Sequence, residues 1–125
     1  MFVLFVSDQK KAVEFYRHLL KQNPSLNEPG MAEFELWDGT ILGLMPEKGI
    51  ARIIGGNVPH PASGRGIPRC EIYLRVENPK LYLNRALAAG AKLLSPLQPR
   101  DWGDEAAYVA DPDGHVIALA RALTR

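Results

Sequence analysis

Two Asp-Gly turns stand at matching places in the two halves of this chain. "FELWDGTILG" starts at Phe34 and "VADPDGHVIA" at Val109, an offset of 75. Upstream, "LFVSDQKKAVEFY" from Leu4 lines up with "LRVENPKLYLNRA" from Leu74, an offset of 70. Identities are few. Yet both halves run strand, helix, a weak strand and then a hairpin centred on Asp-Gly, and four elements in one shared order indicate a duplicated β-α-β-β-β module.

Local patterns supply the elements. "FVLFVS" (2–7) is a short apolar, β-branched and aromatic run, the pattern of a buried strand. Val13, Tyr16, Leu19 and Leu20 then recur at helical spacing, with Ser7 or Asp8 to cap the start and Pro24 to mark the far end. Residues 32–46 read as a hairpin about Asp38-Gly39. From Pro46 to Arg69 the chain is rich in Gly and Pro without a sustained period, which predicts a long connector. "CEIYLRV" (70–76) is a strand. Residues 78–90 are a helix capped by Asn78, with Pro79 in its first turn and Gly90 at its end. "AKLL" (91–94) is a further short strand, and 105–120 form the second hairpin. Module one thus spans 1–46, the connector 47–69 and module two 70–125, within one domain.

A chain of 125 residues holds one domain with a real core. A net charge of +1 gives no general reason to expect nucleic acid or an anionic membrane surface. The apolar start reaches charge at Asp8, too short for a membrane span and lacking the basic lead of a signal peptide. Cys70 is the single cysteine, so no intrachain disulfide can form, and a reducing cytoplasmic location is expected.

"LFVSDQKKAVEFYRHLL", the helix ending in "AAGAKLL", and above all "WGDEAAYVADPDGHVIAL" resemble the glyoxalase/bleomycin-resistance/dioxygenase group, the vicinal oxygen chelate superfamily. The resemblance covers nearly the whole chain outside 46–69. It implies an α+β fold in which two β-α-β-β-β modules form a half-open, cupped mixed sheet around a cleft, with the helices on the convex side, commonly in a homodimer. It also implies that metal enzymes of the family carry ligands on the first and last strands of each module.

Strand alternation then assigns faces. Ile72, Leu74 and Val76 belong under the helix of module two, leaving Glu71, Tyr73 and Arg75 facing the cleft. Phe2, Leu4 and Val6 belong under the helix of module one, leaving Met1, Val3 and Phe5 inward. The family pattern puts Ala118 inward with Val116 and Ala120. A four-residue turn at Asp111–Gly114 would pair Val109 with Val116 and Ala107 with Ala118, which adds Glu105, Ala107 and Val109 to that face. The same logic lines module one with Ala32, Phe34, Ile41 and Gly43. A one-residue change in either loop flips these hairpin faces.

The family's metal-ligand positions fall at Met1, near Gly43, at Glu71 and at Ala118, where relatives commonly have His, a carboxylate, His and Glu. One of the four offers a hard oxygen ligand and none an imidazole, whereas a catalytic divalent metal needs about three converging protein ligands. His18 lies on a helix, His60 in "PHPASG", and His115 has the wrong parity for the cup. The expectation is no metal and no cofactor.

What remains is a mainly apolar site with a few placed polar groups, the makings of a small-molecule site. Its expected ligand contacts are Phe5, Phe34, Glu71, Tyr73, Arg75, Trp102, Glu105 and Ala118. Trp102 could stack on a planar ligand or cover a sheet edge or dimer interface, and Trp37 is expected to be interfacial or packed. Glu71 and Arg75 could instead form a partly solvated ion pair, and Tyr73 could equally be a packing residue. Cys70 lacks an evident base and reads as a buried thiol. "GGNVPHPASGRG" lacks the strand-to-helix switch and the Lys-Ser/Thr of a phosphate loop.

Three function classes follow. The first is a metal-independent protein that sequesters or carries an apolar or aromatic compound. The second is an enzyme, either metal-free with Glu71 as candidate catalytic base and Tyr73 or Arg75 as polariser, or metal-dependent through other ligands. The third is a homodimeric scaffold.

Overall fold

A computed structural model of the chain describes residues 1–123. The last two positions of module two, 124 and 125, lie outside the described residues. The architecture is α+β, with two four-stranded mixed sheets. The chain divides into two compact units, Met1–Arg65 and a second that begins at Gly66.

The first unit runs β1 (Phe2–Val6), α1 (Gln9–Leu20), β2 (Leu26–Glu28), β3 (Met31–Glu35), β4 (Ile41–Pro46) and α2 (Glu47–Ile54), followed by two 3-10 turns at Gly55–Asn57 and Pro61–Gly64. Its sheet has the order β1-β4-β3-β2, with β1 and β4 parallel. The second unit runs β5 (Glu71–Arg75), α3 (Pro79–Ala88), β6 (Lys92–Pro99), β7 (Asp104–Ala110) and β8 (Val116–Ala122). Its order, β5-β8-β7-β6, repeats the first with β5 parallel to β8. The repeat seen in the sequence is therefore a repeat of topology.

The helices form for the reasons their sequences give. The Asp8 carboxylate accepts the Lys11 N–H at 3.1 Å, satisfying a donor that the first turn leaves open. Val13, Tyr16, Leu19 and Leu20 fall on one stripe with Ala12 and Phe15, and all six are buried. Phe15 and Tyr16 meet edge to face with centroids 5.0 Å apart. In α3, Asn78 caps Leu81 N–H at 3.2 Å, and Leu83 and Ala86 are buried. They share the core of their unit with Leu74, Val109, Ile117 and Leu119.

Residues 47–69 are a correction to the expected connector. Pro46 precedes a two-turn helix, α2, and both 3-10 turns follow within this stretch. Ile50, Ile53 and Ile54 do recur at helical spacing, but the run is short and Gly49 interrupts it. None of its residues is buried, and two turns are too few to sustain a period. Cys70 is another correction. It is exposed rather than buried, because β5 begins one residue later.

Both hairpin faces differ from expectation by one residue, for one reason. In the first, Glu35 pairs with Ile41, leaving a five-residue loop. In the second, Ala110 pairs with Val116, again leaving five. An odd loop reverses the face relation that an even one gives. Ile41 and Gly43 do share a face with Val3 and Phe5, but Ala32 and Phe34 lie on the opposite one with Leu42 and Leu44. Phe34 is fully buried there, a core residue. Glu105, Ala107 and Val109 likewise go to the face of Ile117 and Leu119, and Asp104, Ala106, Tyr108 and Ala110 take the face assigned to them. Glu105 forms an ion pair with Arg121 on its own face.

Each loop absorbs its fifth residue through an Asp side chain. Asp38 accepts the Thr40 N–H at 2.9 Å, and buried Asp111 accepts the N–H groups of Asp113 and His115 at 2.9 and 2.8 Å.

Candidate functional site

The second sheet presents a face built in rows, because residues in register on neighbouring strands share a side. Glu71, Val116 and Ala110 make one row, Tyr73, Ala118 and Tyr108 the next, and Arg75, Ala120 and Ala106 a third. Asp104 follows opposite Ala122. Ala106, Ala118 and Ala120 have no exposed surface and form a floor of methyl groups. Two strand spacings separate the backbones of Tyr73 and Tyr108, about 10 Å, with only Ala118 between them.

One end of this face is a polar network. The Tyr73 hydroxyl donates to Asp104 Oδ2 at 2.6 Å and accepts from Trp102 Nε1 at 2.9 Å. Arg75 Nη1 reaches both Asp104 oxygens, at 3.1 Å to Oδ1 and 3.0 Å to Oδ2, and its guanidinium carbon lies 5.3 Å from the Tyr73 ring centroid. The tight "RDWGD" loop makes this possible. Gly103 has a φ of +94°, a left-handed conformation, and Arg100 N–H bonds the Asp104 carbonyl at 2.7 Å. The loop thus delivers Trp102 beside Asp104 at the head of β7.

Charge in the network is fixed by these bonds. The hydrogen bond from Tyr73, then the hydrogen bond and charge of Arg75, hold the Asp104 carboxyl below the usual carboxylate range, against the opposing effect of its burial. Burial, and after it the hydrogen bond to Asp104, push the Tyr73 phenol up. Tyr73 therefore stays neutral with its one proton already donated, and it has none left to polarise a substrate carbonyl.

These shifts predict two limbs in a stability profile. A depressed Asp104 contributes stability above the unfolded carboxyl value of about 4, lost as pH falls through the folded value. A raised Tyr73 contributes stability below about 10, lost as pH rises through its folded value. Melting temperature measured against pH should show both limbs. Asp104→Asn should flatten the acid limb and Tyr73→Phe the alkaline one.

Of the expected contacts, the network joins Tyr73, Arg75 and Trp102, while Glu71 and Ala118 share their face. Phe34 and Glu105 are not on the assigned faces, and Phe5 lies on the first sheet with 36% of its surface exposed. Arg75 pairs with Asp104, not with Glu71. Trp37 is more than half exposed. Asp104, Tyr108 and Arg100 escaped the sequence reading. The first two follow from the loop parity. Arg100 binds the Ala106 carbonyl through Nε and Nη2, bonds Ser95 and Pro96 through Nη2, and stands 5.1 Å from the Tyr108 ring, stitching down the irregular pairing of β6.

Comparison with known proteins places the whole arrangement. The sequence profile of the Glyoxalase/Bleomycin resistance protein/Dioxygenase superfamily matches residues 1–119. The chain belongs to this superfamily. An uncharacterised Mycobacterium bovis protein is 30% identical over 127 aligned positions, covering 94% of this chain and 79% of that protein. A crystal structure of a glyoxalase-related enzyme from Fulvimarina pelagi superposes with a TM-score of 0.80 at 24% identity, over 95% of this chain and 84% of the other. A glyoxalase/bleomycin resistance protein/dioxygenase from Nocardioides does so at 0.73 and 28% identity, over 97% and 80%.

The superfamily's metal chemistry can be tested against the donors present. In the first unit the two ligand positions offer the Met1 thioether and the bare backbone of Gly43. A Cβ added at Gly43 would lie 3.1 Å from Val3 Cγ2 and 3.5 Å from the sulfur atoms of Met1 and Met31, so its surroundings are apolar carbon and soft thioether. In the second unit Glu71 supplies a carboxylate and Ala118 a methyl group. Among the described residues no three of His, Cys, Asp and Glu gather where they could hold one ion. This donor set does not fit the divalent metal of the superfamily's enzymes.

Proposed function

We propose that this superfamily member is a metal-independent small-molecule-binding protein that takes an apolar or aromatic compound on the Tyr73–Tyr108 face of its second sheet. The observation that carries the reading is the half-buried pair Tyr73 and Tyr108, set either side of the small, buried Ala118, with hydrogen-bonding groups at one end. Apolar walls give affinity, and a few fixed polar groups give orientation. The lack of hard or imidazole donors at Met1, Gly43 and Ala118 supports the metal-independent part. The committed Tyr73 proton argues against Tyr73 as the polariser of an enzyme on this face.

The test is calorimetric titration with 2-naphthamide, an uncharged planar probe, in buffer with and without EDTA. The expected result is saturable binding that EDTA leaves unchanged and that Trp102→Ala weakens. Binding that disappears with EDTA and returns with Ni²⁺ would overturn metal independence. No binding of 2-naphthamide or of its charged analogues would overturn the binding role.

A further inference from the structure

We infer that the ligand of this face is a planar aromatic anion, an aryl carboxylate, with its ring on Trp102 and its carboxylate on the free edge of Arg75. The inference rests on the binding role proposed above and adds the chemical class.

Two observations lead to it. The first is how Arg75 is used. A single nitrogen, Nη1, serves both Asp104 oxygens, and 62% of the side chain stays exposed. No described residue accepts from Nε or Nη2. Those two carry the parallel N–H bonds that match a carboxylate in bidentate fashion. Asp104 anchors the guanidinium, and the Tyr73 proton it accepts draws part of its charge away from Arg75. Of the other charged groups on this face, Arg100 has both donors of its side-on edge, Nε and Nη2, committed to Ala106, Ser95 and Pro96, and Lys92, opposite Ala110, lies in the far row with Glu71. Glu71 lies four residues from Arg75 along β5, about 13 Å, beyond the screening length at physiological salt.

The second observation is Trp102. Its surface is 54% exposed, yet Nε1 is tied to the Tyr73 hydroxyl. An exposed indole held at one atom has its ring plane restricted before any ligand arrives, which lowers the ordering cost of stacking. The Tyr73 oxygen and the Asp104 carboxylate link indole to guanidinium through contacts of 2.9, 2.6 and 3.0 Å, a path short enough for one bicyclic acid to bridge. An aromatic cation could stack on the same ring, but it would meet Arg75.

The experiment is calorimetric titration of the full chain with 2-naphthoate, 2-naphthamide and 2-naphthylmethylammonium. The expected order is naphthoate first, about tenfold to a hundredfold tighter than the amide, with the ammonium weakest. Arg75→Lys keeps the charge but removes the fork and should erase most of that preference, whereas Arg121→Gln on the opposite face should leave it intact. If amide and carboxylate bind equally, the anionic class is wrong while the binding role stands. If the ammonium binds best, the charge assignment is wrong. If none of the three binds, both the class and the role fall.

Discussion

Phe34→Ala should destabilise the protein by about 3–5 kcal/mol in denaturant unfolding, the range for truncating a fully buried phenylalanine. Phe5→Ala, at a position 36% exposed on the other face of the same sheet, should cost far less. The contrast follows from the five-residue loop at 36–40, which turns Phe34 inward with Leu42 and Leu44. With an even loop, Phe34 would lie on the exposed face, its truncation would be mild, and the two variants would look alike. Total stabilities of domains this size run about 5–15 kcal/mol, so Phe34→Ala should remove a large share.

Gly114→Ala should cost about 2–4 kcal/mol, from backbone strain together with a collision. Gly114 has a φ of +91°, and an added Cβ would stand 2.8 Å from both the Cα and the carbonyl oxygen of Gly66. Backbone cannot swing aside as a side chain can, so either the 111–115 loop or the segment at Gly66 must move. Gly39→Ala is the internal control. It sits in the equivalent turn of the first hairpin with a φ of +85° and nothing within 4 Å of the added carbon, so it should carry only the strain, about 1 kcal/mol. Chemical denaturation of the two variants separates collision from strain. Equal losses would mean that the Gly66 contact contributes nothing.

Most of the architecture was legible because duplicated periodicity is a strong signal. Both long helices carry their caps and apolar stripes in plain view, and the repeat of Leu4 on Leu74 and Phe34 on Val109 anticipates the repeated sheet order. The second module's first strand was also legible. Apolar Ile72 and Leu74 alternate with polar Glu71, Tyr73 and Arg75, and that alternation needs no knowledge of a loop. The hairpins were not, because face assignment through a turn depends on loop parity. Asp38 and Asp111 close their loops with side-chain hydrogen bonds, and nothing in the Asp-Gly pair itself tells four residues from five. That one residue exchanged Glu105 for Asp104 and so hid the centre of the polar network. It also hid Tyr108, the second wall of the face. α2 was missed for a different reason, since its apolar residues Ile50, Ile53 and Ile54 span only two turns, between Gly49 and the Gly-Gly at 55–56 in a stretch rich in Gly and Pro.

The proposed function requires this superfamily member to work without the superfamily's metal. Its most direct test is the metal content of untagged protein purified without chelator, with melting temperature followed after adding Ni²⁺, Zn²⁺, Mn²⁺ and Fe²⁺. A metal that binds the native state raises the melting temperature by mass action. Metal independence predicts far less than one metal per chain and no shift with any of the four ions. A content near one per chain, or a shift of several degrees abolished by Glu71→Ala, would contradict it.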